Sequence, residues 1–400
     1  MNRIARLSKW ASLIFVLTSV SIVLGASFKS LEVSVESTKT IPGKFTPRNI
    51  FEVSIKNDRV AIISTSSLKK SLIVFNSNGD IVFSAEFNDR ATYCELIDEG
   101  TRVFIRCLLT EKQYLSEVYD ISKQSKILSF ESKFPIKPSP SGGYFYTIYD
   151  LAIQPRQDIF NENGEFIGSI KSQYGVWEAT ALNDNELIML DGNILKIISI
   201  PDLTVTRERK FEELSKPALQ MGLSIDPDGD FCCAYNSENI VIYDISSDIW
   251  NCIEASHPGL YGSEENIFIS NSGKYITSNT WIRNSNIPHY SLFFKTDSGY
   301  KNIARFKELP ISRSVSIPNN PGSYFDGTTI SLYYTYYPRT GVYFSSAIIK
   351  LPEKSDSAFY TYGTSGVLLP SNDGRLINFQ FGDSLTSSLT IEILNVLSAE

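Results

Sequence analysis

From about residue 30 onward, apolar and polar positions alternate in short runs rich in Ile, Val, Tyr, Phe and Ser. Clusters of Asn, Asp, Gly and Pro separate the runs. Alternation with period two puts successive side chains on opposite faces of a strand. No stretch keeps a helical apolar period over several turns. The pattern predicts an all-β chain whose strands are joined by tight polar turns.

The turns recur. A unit of strand, polar turn and strand is centred on Asp58, Gly100, Gly142, Asn185, Gly229, Gly273, Gly322 and Gly374, at intervals of 42 to 52 residues. Gly, Asn and Asp suit these turns, which need positive φ or a side-chain bond to the backbone. A second hairpin lies between successive units, as in residues 72–87, 117–132, 158–172, 194–211, 240–255 and 291–306. Two hairpins per repeat make four antiparallel strands, the composition and period of a β-propeller blade. A lone four-stranded sheet cannot bury both faces, so neighbouring repeats must cover one another.

Residues 224–229 (Ser-Ile-Asp-Pro-Asp-Gly) and 138–142 (Pro-Ser-Pro-Ser-Gly) look like the S-P-D-G hairpin of the WD40-like and TolB-like β-propeller repeats. The chain resembles that superfamily. The Gly-His and Trp-Asp signatures of true WD40 repeats are absent, so the resemblance implies a fold and no activity. The expected architecture is one propeller over residues 27–400, with eight blades preferred over seven. The last repeat offers only three strands, at 366–370, 375–381 and 389–396. The alternating segment 31–37 precedes the first complete repeat, and it is expected to pair antiparallel with 389–396 and close the ring. With seven blades, 309–362 would instead hold an insertion.

Residues 1–9 carry Arg3, Arg6 and Lys9 and no acid; residues 10–24 carry no charge, and Gly25, Ala26 and Ser27 follow. A basic start, an apolar stretch and a small-residue exit read as a secretory signal. Retained, the 17 residues from 10 to 26 reach the lower limit of a membrane anchor. The chain is therefore expected outside the cytoplasm, periplasmic or secreted, with anchoring as the alternative. No Asn-x-Ser/Thr acceptor occurs, which favours a bacterial envelope protein.

The net charge is −7, and it becomes 34 − 44 = −10 without the three basic residues of the signal. So acidic a chain is a poor ligand for nucleic acid. Its five cysteines are too few and of odd number for a disulfide scaffold. Cys94 and Cys107 flank one hairpin and are the pair to test; small buried side chains are the plainer reading. Only two histidines occur, and no motif serves nucleotide, zinc or nucleophilic chemistry, so no cofactor and no metal are expected. Asp226, Asp228 and Asp230 mimic a calcium loop, but Phe231 and Ser237 stand where its Gly and Glu belong, so a hairpin turn is expected.

Candidate binding residues concentrate in the sixth and seventh repeats. Residues 277–290 read as an irregular connection presenting Trp281, Arg283, Asn286, His289 and Tyr290. The connection 256–264 adds His257 and Tyr261 on the same expected face. The tyrosine-rich hairpin 330–351 adds Tyr337 and Arg339 near its tip. Aromatic faces with Arg and Asn suit a protein partner or a surface glycan in the cell envelope; self-packing of the loop and the blade is the alternative. The expected function is non-enzymatic binding. The runner-up is a propeller hydrolase or lyase on an extracellular polymer, which would need acids converging near Arg283 or His289.

Overall fold

The structure is a computed structural model. It describes residues 28–30, 32–41, 50–56, 59–66, 69–87, 90–110, 113–148, 154–215, 221–226, 229–236, 238–254, 266–270, 273–281, 288–307, 329–336, 343–350, 359–364, 367–370, 375–381 and 388–397. The described regular structure is all-β apart from two short 3-10 turns. The chain forms two compact units, residues 51–76 with 80–261, and residues 1–50 with 77–79 and 262–400.

In the first of these, Ile50–Lys56, Arg59–Ser66, Lys69–Phe75 and Ile81–Phe87 lie side by side in chain order. The next sheet is Arg90–Ile97, Arg102–Thr110, Gln113–Asp120 and Ser125–Ser132, and a later one is Met221–Ile225, Phe231–Asn236, Asn239–Asp244 and Ile249–Glu254. Between them runs a seven-stranded sheet, from Ile136–Pro138 through Phe166–Ala181 to Thr204–Lys210. It is two repeats merged. Phe166–Ala181 pairs with Gln154–Asn161 through its first half and with Glu186–Asp191 through its second. The chain joining those repeats is extended and bulged.

Burial follows strand position. Middle strands such as Ile194–Ser199 are almost wholly buried, whereas the fourth strands Thr204–Lys210 and Ile249–Glu254 are mostly exposed. A middle strand has a sheet neighbour on each side and apolar groups over both faces; a fourth strand has one neighbour and faces water. Ala61, Ile63, Leu72, Val74, Cys94, Val103, Ile105 and Cys107 form one apolar cluster across two consecutive sheets. Ile188, Leu190, Leu195, Leu223, Cys232 and Val241 form another. Cys94 and Cys107 are buried inside the first cluster, where they pack as small hydrophobes and form no disulfide with each other.

The repeated turns share one device. Ser139 Oγ accepts the N–H of Tyr144 at 3.1 Å, Asp226 Oδ1 that of Phe231 at 2.8 Å, and Ser270 Oγ that of Tyr275 at 2.9 Å. In each, the glycine three residues on (Gly142, Gly229, Gly273) has positive φ and donates its N–H to the carbonyl of the capping residue. Asp226 is thus a turn residue, as its sequence context predicts. Turns of consecutive repeats also bond to each other: Asp98 N–H to Pro140 O at 2.8 Å, and Ser139 Oγ and Ser141 N–H to Asp184 Oδ1 at 2.8 and 3.0 Å.

In the second unit, Asn266–Ile269, Tyr275–Trp281, Pro288–Thr296 and Gly299–Lys307 form one antiparallel sheet. Val367–Pro370, Leu376–Phe381 and Leu389–Val396 form three strands of another, and Val33–Ile41 completes it, antiparallel from Val33 opposite Val396 to Ile41 opposite Leu389. The pairing partner is the expected one, but the strand starts later than 31–37 and runs longer, with a bulge between Val35 and Ser37. The apolar face expected for it is not buried: Val35 is 58% exposed. A fourth strand lies at the sheet's margin, so its alternation fits the ladder without entering the core. The remaining sheet departs from all-antiparallel order. Thr329–Tyr336, Tyr343–Lys350 and Phe359–Thr364 are antiparallel, but Phe28–Ser30 joins them in parallel alongside Phe359–Thr364.

Candidate functional site

Of the residues singled out in the sequence, Tyr261, Arg283, Asn286, Tyr337 and Arg339 lie outside the described residues. So does the connection 256–264, and the expected shared face with it. Trp281, His289 and Tyr290 lie on paired strands, opposite Pro288, Thr280 and Asn279. The irregular connection expected over 277–290 is therefore shorter, because the ladder continues to Trp281 and resumes at Pro288. Thr and Asn in 277–280 weaken the apolar signal, but their backbone groups pair as well as any.

A different polar constellation is well described. It draws on the first strands of the first three repeats and the second strand of the second. Tyr93 and Glu95 are two apart on Arg90–Ile97, and the Tyr93 hydroxyl donates to Glu95 Oε2. Arg106 sits opposite Tyr93 in the ladder, with its guanidinium carbon 4.8 Å from the Tyr93 ring centroid. Its Nη1 donates to Ile136 O at 3.2 Å, which ties this sheet to the next repeat. There Lys137 faces Tyr146 in register. Lys56, from the first repeat, donates from Nζ to Pro140 O at 3.1 Å. Tyr93, Glu95, Arg106, Lys56 and Lys137 are all half-buried.

Burial raises the Glu95 carboxyl above its ordinary value, although Lys137, the Tyr93 hydroxyl, Lys56 and Arg106 all pull it down. Burial also raises the Tyr146 hydroxyl, and Glu95 adds to that; a side-chain bond with Thr180 and a backbone bond at Ala181 oppose it. The Glu95 carboxyl thus feels burial on one side and the charges of Lys137, Lys56 and Arg106, drawn from three successive repeats, on the other.

This cluster was not among the sequence candidates, yet a signal existed. Glu95, Lys137, Thr180 and Ser224 each stand five residues before the repeat-turn position (Gly100, Gly142, Asn185, Gly229). A charged residue at the same place in the first strands of two successive repeats marks a polar seam.

A second buried pair has a different character. Asp191 is fully buried and Lys196 nearly so, with Nζ 2.6 Å from Oδ2. Burial works against the Asp191 charge, but the Gln173 N–H, Lys196, the Ser172 hydroxyl and the Tyr174 N–H outweigh it and hold the carboxyl below its ordinary value. The acid thereby pins the chain where two repeats merge. Cys232 and Cys233 are buried thiols that burial pushes up, so neither is nucleophilic. Among the described residues, no three His, Cys, Asp or Glu side chains come together as metal ligands, and no helix is long and apolar enough to cross a membrane.

The solved structure of Hsv2 from Kluyveromyces lactis is 12% identical over 79% of this chain and 98% of that chain, with a TM-score of 0.52. A chain of a mitotic checkpoint complex is 12% identical over 92% and 94%, at 0.50. The WD40 domain of coronin from Toxoplasma gondii is 9% identical over 93% and 90%, at 0.47. No family model and no curated protein matches the sequence. At such low identity the likeness is one of fold alone. The four-stranded antiparallel sheets, with the likeness to Hsv2 and to the checkpoint-complex chain, together give an all-β fold of the β-propeller kind.

Proposed function

We propose that the chain is an exported, non-enzymatic β-propeller of eight blades that binds a protein partner in the cell envelope through the loops of its sixth and seventh repeats. The observation that carries the binding reading is the WD40-like fold, a scaffold of short hairpins whose connections present side chains from rigid strands. The eight recurrent turns support the blade count, and the pairing of Val33–Ile41 with Leu389–Val396 supports closure through the N-terminal strand. Export rests on the basic and apolar start of the chain.

The test is cross-linking in intact cells producing the tagged full chain, followed by fractionation. The expected outcome is a mature N-terminus between Ala26 and Phe28, or an intact one in the membrane fraction. A partner should be cross-linked to the native chain and lost on Trp281→Ala and Arg283→Ala. An intact Met1 in the soluble cytosolic fraction would overturn export. A partner retained by both variants would overturn the assigned face.

A further inference from the structure

We propose that the edge of Ile249–Glu254 is a docking surface for a second copy of this chain, the two strands pairing antiparallel about a two-fold axis through Cys252. Among the described residues, this strand has one sheet neighbour, Asn239–Asp244, and stands last in its sheet. Five of its six residues are exposed, Ile249 at 61% and Trp250 at 41%. Exposed edge strands are usually guarded by charge. Other fourth strands are so guarded: Ser125–Ser132 carries Lys126 and Glu131, and Thr204–Lys210 carries Arg207, Glu208, Arg209 and Lys210. From Ile249 to Ile253 there is no charge at all. Trp250 is also held in place, edge-on to Phe211 at 5.8 Å and with Nε1 3.4 Å from Glu213 Oε1. A side chain already held loses little freedom when a second strand joins it.

Symmetry and charge select the occupant. The run offers no charge for a foreign strand to recognise, but it is complementary to itself. In a continuous antiparallel sheet, opposed side chains share a face, so a two-fold axis between identical strands must pass through a residue. Axes through Asn251 or Cys252 give the longest overlap within the strand, residues 249–253 or 250–254. The first would set Glu254 opposite Asp248, whose charge Arg209 already shares, and like charges placed opposite weaken a ladder. The second sets Glu254 opposite Trp250 and Asn251 opposite Ile253, with no acids opposed. It also sets the two Cys252 thiols side by side. Opposed residues have Cα atoms about 4.5–5.5 Å apart, within the range of about 4.4–6.8 Å that a disulfide spans. Cys252 is the exposed thiol of the five; Cys94, Cys107, Cys232 and Cys233 are buried. Each copy uses its edge once, so the pairing stops at a dimer.

The full chain is sedimented at concentrations from about 1 to about 100 µM. It should pass reversibly from monomer to dimer. Ile249→Lys and Asn251→Lys put a charge at exposed positions of the edge, so each should weaken the dimer several-fold and leave the melting temperature unchanged. Glutathione disulfide then reports the register. One Cys252 thiolate attacks it, forming a mixed disulfide and releasing one glutathione. The second copy's Cys252 thiolate attacks that mixed disulfide, forming the bond between the two copies and releasing the other glutathione. Two protein thiols are oxidised, one glutathione disulfide is reduced, and both protons end on glutathione. Burial, with Glu213 and Glu254, holds the Cys252 thiol above its ordinary value, so chance encounters bridge slowly. A bridged dimer should appear in non-reducing gels, several-fold faster than in either lysine variant. Cys252→Ser should lose the bridge and keep the reversible dimer. A chain monomeric throughout, a dimer untouched by both lysine variants, a dimer that never bridges, or a bridge that forms as fast in the lysine variants would each overturn the proposal. A monomeric chain whose cross-linked partner is lost on Asn251→Lys would assign the edge to that partner and overturn the second copy as its occupant.

Discussion

At the residue scale, the two charge clusters contrast. Glu95 is a carboxyl whose surroundings do not fully compensate its charge, whereas Asp191 is overcompensated by four donors. The donors of Asp191 are unequal in consequence. Without Lys196, the carboxylate keeps Ser172, Gln173 and Tyr174. Without Asp191, a nearly buried ammonium loses its carboxylate and two backbone N–H groups lose their acceptor. Asp191→Ala should therefore cost about 3–5 kcal/mol, and Lys196→Met clearly less, measured by urea unfolding. Equal costs would show that the ion pair, and not the backbone bonds, dominates. The sign with pH also follows. A depressed carboxyl adds stability that is full above its unfolded value and is lost as pH falls through its folded one. The gap between wild type and Asp191→Asn should thus be widest near neutrality and shrink below the ordinary Asp range, near 3.8. A gap independent of pH would contradict it.

At the element scale, the turns carry the repeat. Gly229 has φ of +79°, and a Cβ there would sit 3.1 Å from the carbonyl oxygen of Leu182 in the preceding repeat's turn. Two penalties combine in Gly229→Ala: a left-handed backbone for a residue with a Cβ, and crowding by a main-chain atom that cannot swing away. A loss of about 1–2 kcal/mol is expected in thermal melts. Gly229→Asn tolerates the backbone but not the crowding, so it should recover only part. Full recovery would mean that the contact with Leu182 is idle. These turns were legible in the sequence because Ser139, Asp226 and Ser270 and their glycines obey local chemistry that needs no tertiary partner. The merged strand Phe166–Ala181 was not legible as one element. What holds it extended is the carboxylate of Asp191, remote in sequence, and no local pattern records that. The polar seam was hidden for a similar reason: Glu95 and Lys137 look like ordinary breaks in alternation until the repeats are laid over one another. The strand pairing of Trp281, His289 and Tyr290 was hidden, since Thr277 to Thr280 pair through backbone that side-chain hydropathy does not reveal.

At the scale of the whole molecule, the N-terminal segment completes two sheets formed from the far end of the sequence. Phe28–Ser30 lies along Phe359–Thr364, and Val33–Ile41 along Leu389–Val396. The second pairing is reinforced at its edges: Leu397 N–H donates to Glu32 O at 3.0 Å, and Arg375 Nη1 lies 3.3 Å from Glu36 Oε2. Val33 and Val396 are joined across more than 350 residues, so the loop-closure entropy is large and this pairing should form late in folding. Its gain is not burial, because the strand is almost wholly exposed. It is the satisfaction of a ladder. Leu389, Ile391, Ile393 and Leu394 are buried in the sheet that Val33–Ile41 borders, and without that strand their backbone would form an open edge. Deleting residues 28–41 from the otherwise full chain should therefore do two things. The melting temperature should fall by about 2–8 °C, the shift that 1–2 kcal/mol produces in a unit of this size. The exposed edge of Leu389–Val396 should recruit another strand, giving concentration-dependent association in sedimentation. Val35→Thr, which keeps the ladder and alters only an exposed side chain, should leave both properties unchanged. A deletion that melts with the full chain and stays monodisperse would show that the sheet holds without its fourth strand. A loss reproduced by Val35→Thr would show instead that apolar contact, and not the ladder, is what the segment supplies.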